Sequence, residues 1–195
     1  MVNQLPEQTF YKPIPSLSRS IVTGAIGFAV ISLCVFATAA FAERWMYRNL
    51  GGLGAYLAWT ALFIALSGAV FGSLVVVRWR LPRFYLLFAV AFFAYAAAWM
   101  IAYFSLGRTT GEWVGSLAGS MLMALVFAFG FRAPKSIPKL SAVLFVSNAL
   151  GYFVGAALLD SYTHRVGLLL FGVVYGVLFG AGIGATLHLV QQRSR

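Results

Sequence analysis

Residues 166–190 read VGLLLFGVVYGVLFGAGIGATLHLV, a stretch without Asp, Glu, Lys or Arg that carries Gly172, Gly176, Gly180 and Gly184 at four-residue steps. A bilayer core about 30 Å thick needs roughly 20 apolar residues of helix to cross it, so this stretch is long enough for one span. Positions four apart lie on one helix face, so the glycines form a flat strip that another backbone can approach. In lipid, apolar side chains gain little by meeting each other, and helices associate through such close packing and through hydrogen bonds between them.

Five more stretches of this kind precede it, at about 21–42, 52–77, 84–105, 113–131 and 140–159, and none contains an acidic or basic residue. The connections between them are short, so consecutive spans are expected to be antiparallel neighbours. Composition agrees. The 195-residue chain is 62% hydrophobic and 9% charged, against about 25% charged in an ordinary soluble domain. This excludes a water-soluble enzyme, a disordered chain and a nucleic-acid-binding module. The expectation is an all-α, polytopic integral membrane protein: a polar arm over 1–20, a six-helix transmembrane bundle over 21–190 and a basic tail over 191–195.

Lys and Arg total 14 against 4 acids, for a net charge of +10. With the N-terminus inside, the inner face holds Lys12, Arg19, Arg78, Arg80, Arg83, Arg132, Lys135, Lys139, Arg193 and Arg195, and the outer face Arg44, Arg48, Arg108 and Arg165. Basic residues accumulate in short cytosolic loops, so both termini are expected in the cytosol, with a bacterial inner membrane as the expected location. Ala40-Phe41-Ala42 has the small-x-small pattern of a signal-peptidase site, but signal peptides have apolar regions of about 7–15 residues. The first run is longer, and is expected to remain as a helix. Ile14-Pro15, Leu81-Pro82-Arg83 and Ile137-Pro138-Lys139 each precede an odd-numbered span, a pattern that suggests three hairpin units.

Other small-residue pairs are Gly68 and Gly72, Gly115 and Gly119, Gly151 and Gly155, Ala25 and Ala29, with Ala94, Ala98 and Ala102 in the third span. All are expected to pack helix on helix or to receive another subunit. Chemistry-bearing residues are scarce. The spans contain no carboxylate for a proton relay, and Cys34 is the sole cysteine. His164 and His188 fall at opposite faces, too far apart to share a metal or haem. No cofactor and no metal are expected. Thr109 and Glu112 have capping-box spacing, and Asp160 is placed to pair with His164 or Arg165.

The more suggestive feature is aromatic density in the outer half. Trp45, Tyr47 and Trp113 mark the interface; Trp59, Trp99 and Tyr103 lie deeper. Asn148 is the one amide inside a span, with Tyr152 a turn along the same face. A buried amide in hydrocarbon needs a partner. Asn148 either bonds to another helix or lines, with Trp59, Trp99, Tyr103 and Tyr152, a pocket for a small, mostly neutral organic solute.

Three resemblances bear on function. Ser67-Gly68-Ala69-Val70-Phe71-Gly72 resembles the serine helix of rhomboid intramembrane proteases, which implies a partner histidine on a later helix. Here Ala65 replaces that family's glycine, and His188 lies at another depth, so no enzyme is expected. Arg19 followed by Ala25-Ile26-Gly27-Phe28-Ala29, in a six-span chain of this size, resembles the substrate-capture component of energy-coupling-factor vitamin transporters. That resemblance implies a docking face on the first helix for a shared membrane subunit. Gly72-Ser73-Leu74 running into Arg78, Arg80 and Arg83, with Gly151 through Gly155, resembles major-facilitator transporters. The functional expectation is a small-solute transport or capture protein. The alternative is a non-catalytic subunit that packs into a larger complex or homo-oligomer through its glycine faces, with lipid and possible membrane subunits as its partners.

Overall fold

A computed structural model describes residues 13–76 and 81–193. Lys12, Arg78, Arg80, Arg195 and most of the 1–20 arm lie outside the described residues. All regular structure among the described residues is helical: α1 (Leu17–Gly72), α2 (Leu81–Leu106), α3 (Arg108–Gly130), α4 (Ile137–Ser161) and α5 (His164–Arg193), with a single 3-10 turn at Pro134–Ser136. These five helices are long and apolar enough to cross a membrane.

Helix α1 has 56 residues, which as a straight rod would run about 84 Å at 1.5 Å per residue. Instead it folds back on itself. Gly51 takes φ 68° and ψ 175°, a region open essentially only to glycine. Residues 17–50 and 52–72 form two antiparallel arms from there. Phe28 in the first arm meets Phe63 and Phe71 in the second at ring distances of 5.5 and 5.8 Å. The Trp59 indole donates to Thr38 Oγ1 at 3.1 Å.

Gly107, with φ 79° and ψ 170°, makes the same single-residue turn between α2 and α3. The connections read from sequence as 43–51 and 106–112 are therefore one glycine each. The helices run through the polar stretches because nothing in Glu43–Leu50 or Arg108–Glu112 breaks a helix, and backbone hydrogen bonding continues beyond the apolar run. Other boundaries move for related reasons. Ser16 Oγ accepts the Arg19 N–H at 3.2 Å and caps α1 at Leu17, so the arm ends earlier than position 20. The second stretch ends at Gly72 rather than 77. Helix α5 carries the supposed tail through Arg193.

Gly51, Gly107 and the Tyr162–Thr163 turn lie at one end of the bundle, called here the turn end. Ser16, Leu74, Arg83, Arg132, Lys139 and Arg193 lie at the other, the terminal end. The α1 arms, α2 with α3, and α4 with α5 thus form three successive hairpins.

Glycines set the packing. A methyl group at Gly176 would sit 2.5 Å from Ala29 Cα and 2.9 Å from Phe28 O, while one at Gly180 would strike Gly24 O and one at Gly184 Ser20 O. The ladder of α5 therefore lies against the backbone of the first arm, with Gly172 against Phe36. Gly68 faces Tyr85 of α2, Gly115 and Gly119 face Trp99 and Tyr95 of α2, and Gly151 and Gly155 face Tyr175 and Phe171 of α5. Trp113 of α3 stacks on Phe153 of α4 at 4.1 Å. Elements follow one another around a closed ring: first arm, α5, α4, α3, α2, second arm.

The interior is a largely apolar core, but the outer surface is unlike that of a water-soluble bundle. Val22, Ile26, Val30, Leu86, Phe93, Ile101 and Phe104 are exposed, while Ser32, Ser67, Ser116, Ser120, Asn148 and Thr186 are buried. Long apolar faces outside and hydroxyls inside suit a lipid solvent, as in an integral multi-pass membrane protein.

At the terminal end, Gln191 ties the chain together. Its amide donates to Leu74 O at 3.1 Å and Leu187 O at 2.9 Å, and its carbonyl accepts the Val76 N–H at 2.8 Å. One turn before it, His188 Nδ1 lies 2.8 Å from Pro15 O.

Candidate functional site: an aromatic cavity at the turn end

A cavity of about 320 Å³ lies inside the ring, lined by both α1 arms, α2, α4 and α5. Its wall is mostly aromatic, with Phe36, Tyr56, Trp59, Phe92, Trp99 and Tyr152 among the contributors. The volume falls at the lower end of small-molecule sites, which run about 300–1,000 Å³. From His164 to Tyr175, both in the lining, α5 rises by about 17 Å. The space thus runs from the turn end toward mid-bundle.

The two ends of the cavity differ. At the turn end His164 Nε2 stands 3.5 Å from Glu43 Oε2, with the side chains 63% and 38% exposed, so this end reaches solvent. Tyr47 and Tyr56 stand beside Trp59, each perpendicular to it (88°), at ring distances of 6.0 and 5.6 Å. The bond from Trp59 to Thr38, whose hydroxyl donates in turn to Val35 O at 2.6 Å, fixes the indole. At the inner end Phe28, fully buried, packs on Phe63, Phe92, Tyr175 and Phe179 and closes the way toward the terminal end.

The inner wall carries a polar chain across three helices. Tyr95 donates its hydroxyl proton to Asn148 Oδ1 at 2.6 Å. Its oxygen lies 3.1 Å from the Tyr175 hydroxyl, and having spent its own proton it accepts from Tyr175. Asn148 thereby joins α4 to α2 and α5. Its Nδ2 is buried without a hydrogen-bond partner among the described residues.

Of the five residues singled out from sequence, Trp59, Trp99 and Tyr152 line the cavity. Tyr103 stacks on Trp99 at 4.9 Å outside the lining. Asn148 is outside the lining, fully buried and bonded to the lining residue Tyr95 of α2. Glu43, His164, Tyr95, Tyr175 and Phe171 were missed. Tyr95 and Trp99, and Phe171 and Tyr175, are aromatic pairs four apart; two phenols in mid-span also need hydrogen-bond partners. Those signals were available in the sequence.

Local readings of the acids change as well. Gly107 caps α3 without a side-chain bond, so Thr109 and Glu112 form no capping box; Glu112 pairs instead with Arg108 at 3.6 Å. His164 pairs with Glu43 rather than with Asp160, and Arg165 lies over the Phe41 ring at 5.6 Å. Ser67 Oγ is buried with no hydrogen-bond partner among the described residues and His188 is engaged at Pro15. The pair that the rhomboid resemblance requires is therefore not made. The first-helix face that the energy-coupling-factor resemblance assigns to a partner is covered at Ala29 by Gly176.

Comparison of the chain with protein-family models, with curated proteins and with solved structures gives no match.

Proposed function

We propose that this chain is a six-span inner-membrane protein with both termini in the cytosol, which captures a small organic solute from the outer side in its aromatic cavity. The single observation that carries this reading is the one-ended cavity: it reaches solvent beside Glu43 and His164, and it stops at the Phe28 cluster. Such a shape supports capture over an open pore. The two α1 arms, each long enough to cross the hydrocarbon, support six spans. The described basic residues Arg19, Arg83, Arg132, Lys135, Lys139 and Arg193 gather at the terminal end, which favours the cytosol for that end.

The glycine faces bear on the alternative, a packing subunit. Gly172, Gly176, Gly180 and Gly184 are consumed within the chain. Docking a companion subunit would have to use another surface, so the observations favour the capture reading.

A thermal-shift screen of small organic solutes on the purified protein tests it. At least one solute is expected to raise the melting temperature, and Trp59→Ala or Trp99→Ala to abolish that rise. A broad screen without a shift, or a shift retained in both variants, would overturn the proposal.

A further inference from the structure

Resting on the reading of the cavity as a solute site, we propose that its ligand is an amphipathic organic cation, held by its charged head at Glu43 and the Tyr47–Tyr56–Trp59 corner. Among the described residues no lysine or arginine lines the cavity; Glu43 supplies its one carboxylate and His164 its one basic group. The arginines of the turn end point elsewhere. Arg108 pairs with Glu112, Arg165 covers Phe41, and Arg44 and Arg48 are exposed outside the lining.

Aromatic faces carry the negative part of the ring quadrupole and attract cations, most strongly at Trp. Two tyrosines at right angles to a hydrogen-bonded indole make a rigid corner of such rings, with a carboxylate at its rim. An anion would meet Glu43 and those faces with repulsion. A neutral solute would gain from the walls and nothing from the carboxylate. A cation with an apolar body gains from both, because Glu43 compensates the charge that the cavity desolvates. The existing His164 contact is no obstacle: at 3.5 Å and 63% exposure it is a loose, solvent-screened pair.

The test uses (3-phenylpropyl)trimethylammonium and its uncharged isostere, in which carbon replaces the nitrogen. Binding to the protein in nanodiscs is measured with correction for partition into empty discs. The cation is expected to bind about tenfold more tightly or better, with Glu43→Gln bringing it down to the isostere. Asp160→Asn, which removes an exposed turn-end carboxylate outside the lining, is the control and is expected to keep the preference. Because Glu43→Gln also alters the contact with His164, His164→Gln serves as the second variant. It frees the carboxylate and is expected to raise cation affinity, whereas a purely structural pair predicts loss of thermal stability in both variants with no change in preference.

Equal affinity for the two compounds, or a preference that survives Glu43→Gln, overturns the proposal. If the isostere alone binds and Trp99→Ala releases it, the solute site stands and its cation selectivity falls. If neither compound binds, the cation proposal falls, and the solute site itself stands or falls with the thermal-shift screen.

Discussion

Tyr95 shows how single side chains shape the interior. Its hydroxyl is the middle of a chain from Tyr175 to Asn148, and the buried Asn148 carbonyl that it serves has no other donor among the described residues. Tyr95→Phe is expected to destabilise the folded protein by about 0.5–2 kcal/mol, read by unfolding in mixed micelles. An unchanged stability would remove this chain from the forces holding α2, α4 and α5 together. Asn148 marks the limit of residue-level reading. A lone amide in an apolar run announces that a partner exists, but which helix supplies it depends on rotation about the helix axis, and that is set by the glycine contacts. The same uncertainty hid Glu43 and His164. They are 121 positions apart in sequence, at helix ends that look like ordinary interfacial turns until α1 and α5 are brought side by side.

Among the elements, the glycines fall into two kinds, and they respond differently to a methyl group. Gly51 and Gly107 have open space around them, yet their backbone angles exclude other residues. Gly51→Ala and Gly107→Ala are each expected to cost about 1–3 kcal/mol, while Gly52→Ala, also in open space but without a positive φ, should be neutral or mildly stabilising. Thermal unfolding of the three variants checks this, and equal melting temperatures would contradict it. Gly180 is limited by space: a Cβ there would strike Gly24 O. Gly180→Leu should abolish accumulation of folded protein, since the first arm cannot retreat without opening the ring. A folded variant that merely loses a companion would show that this face serves a partner after all. The ladder at 172–184 was legible because four-residue spacing of glycine has one geometric meaning on a helix. Helix ends were less so. Hydropathy locates the lipid-facing length, whereas the helix continues through Glu43–Leu50 until Gly51 permits the reversal.

For the whole molecule, a ring of helical rods is dry and aromatic toward the terminal end and hollow toward the turn end. The all-helical, membrane-type class followed from charge-free runs of roughly 20 residues, because bilayer thickness leaves few other readings. A cavity does not follow from such runs. It is the space left when Gly172–Gly184 draw the first arm onto α5, and its size depends on all the helices at once. Topology is expected to place both ends of the chain in the cytosol, and reporter fusions to each end that give opposite signals would contradict this. The account depends most on the hollow half being open to the outside and closed to the inside. Ala39 and Ala96 both line it, so each can be changed to cysteine after Cys34→Ser removes the native thiol. A charged, membrane-impermeant thiol reagent is then applied to right-side-out and to inverted vesicles. Labelling of Ala39→Cys and Ala96→Cys from the outer side alone is the predicted result. Labelling only from the inner side, or labelling of neither cysteine from either side, would contradict the account.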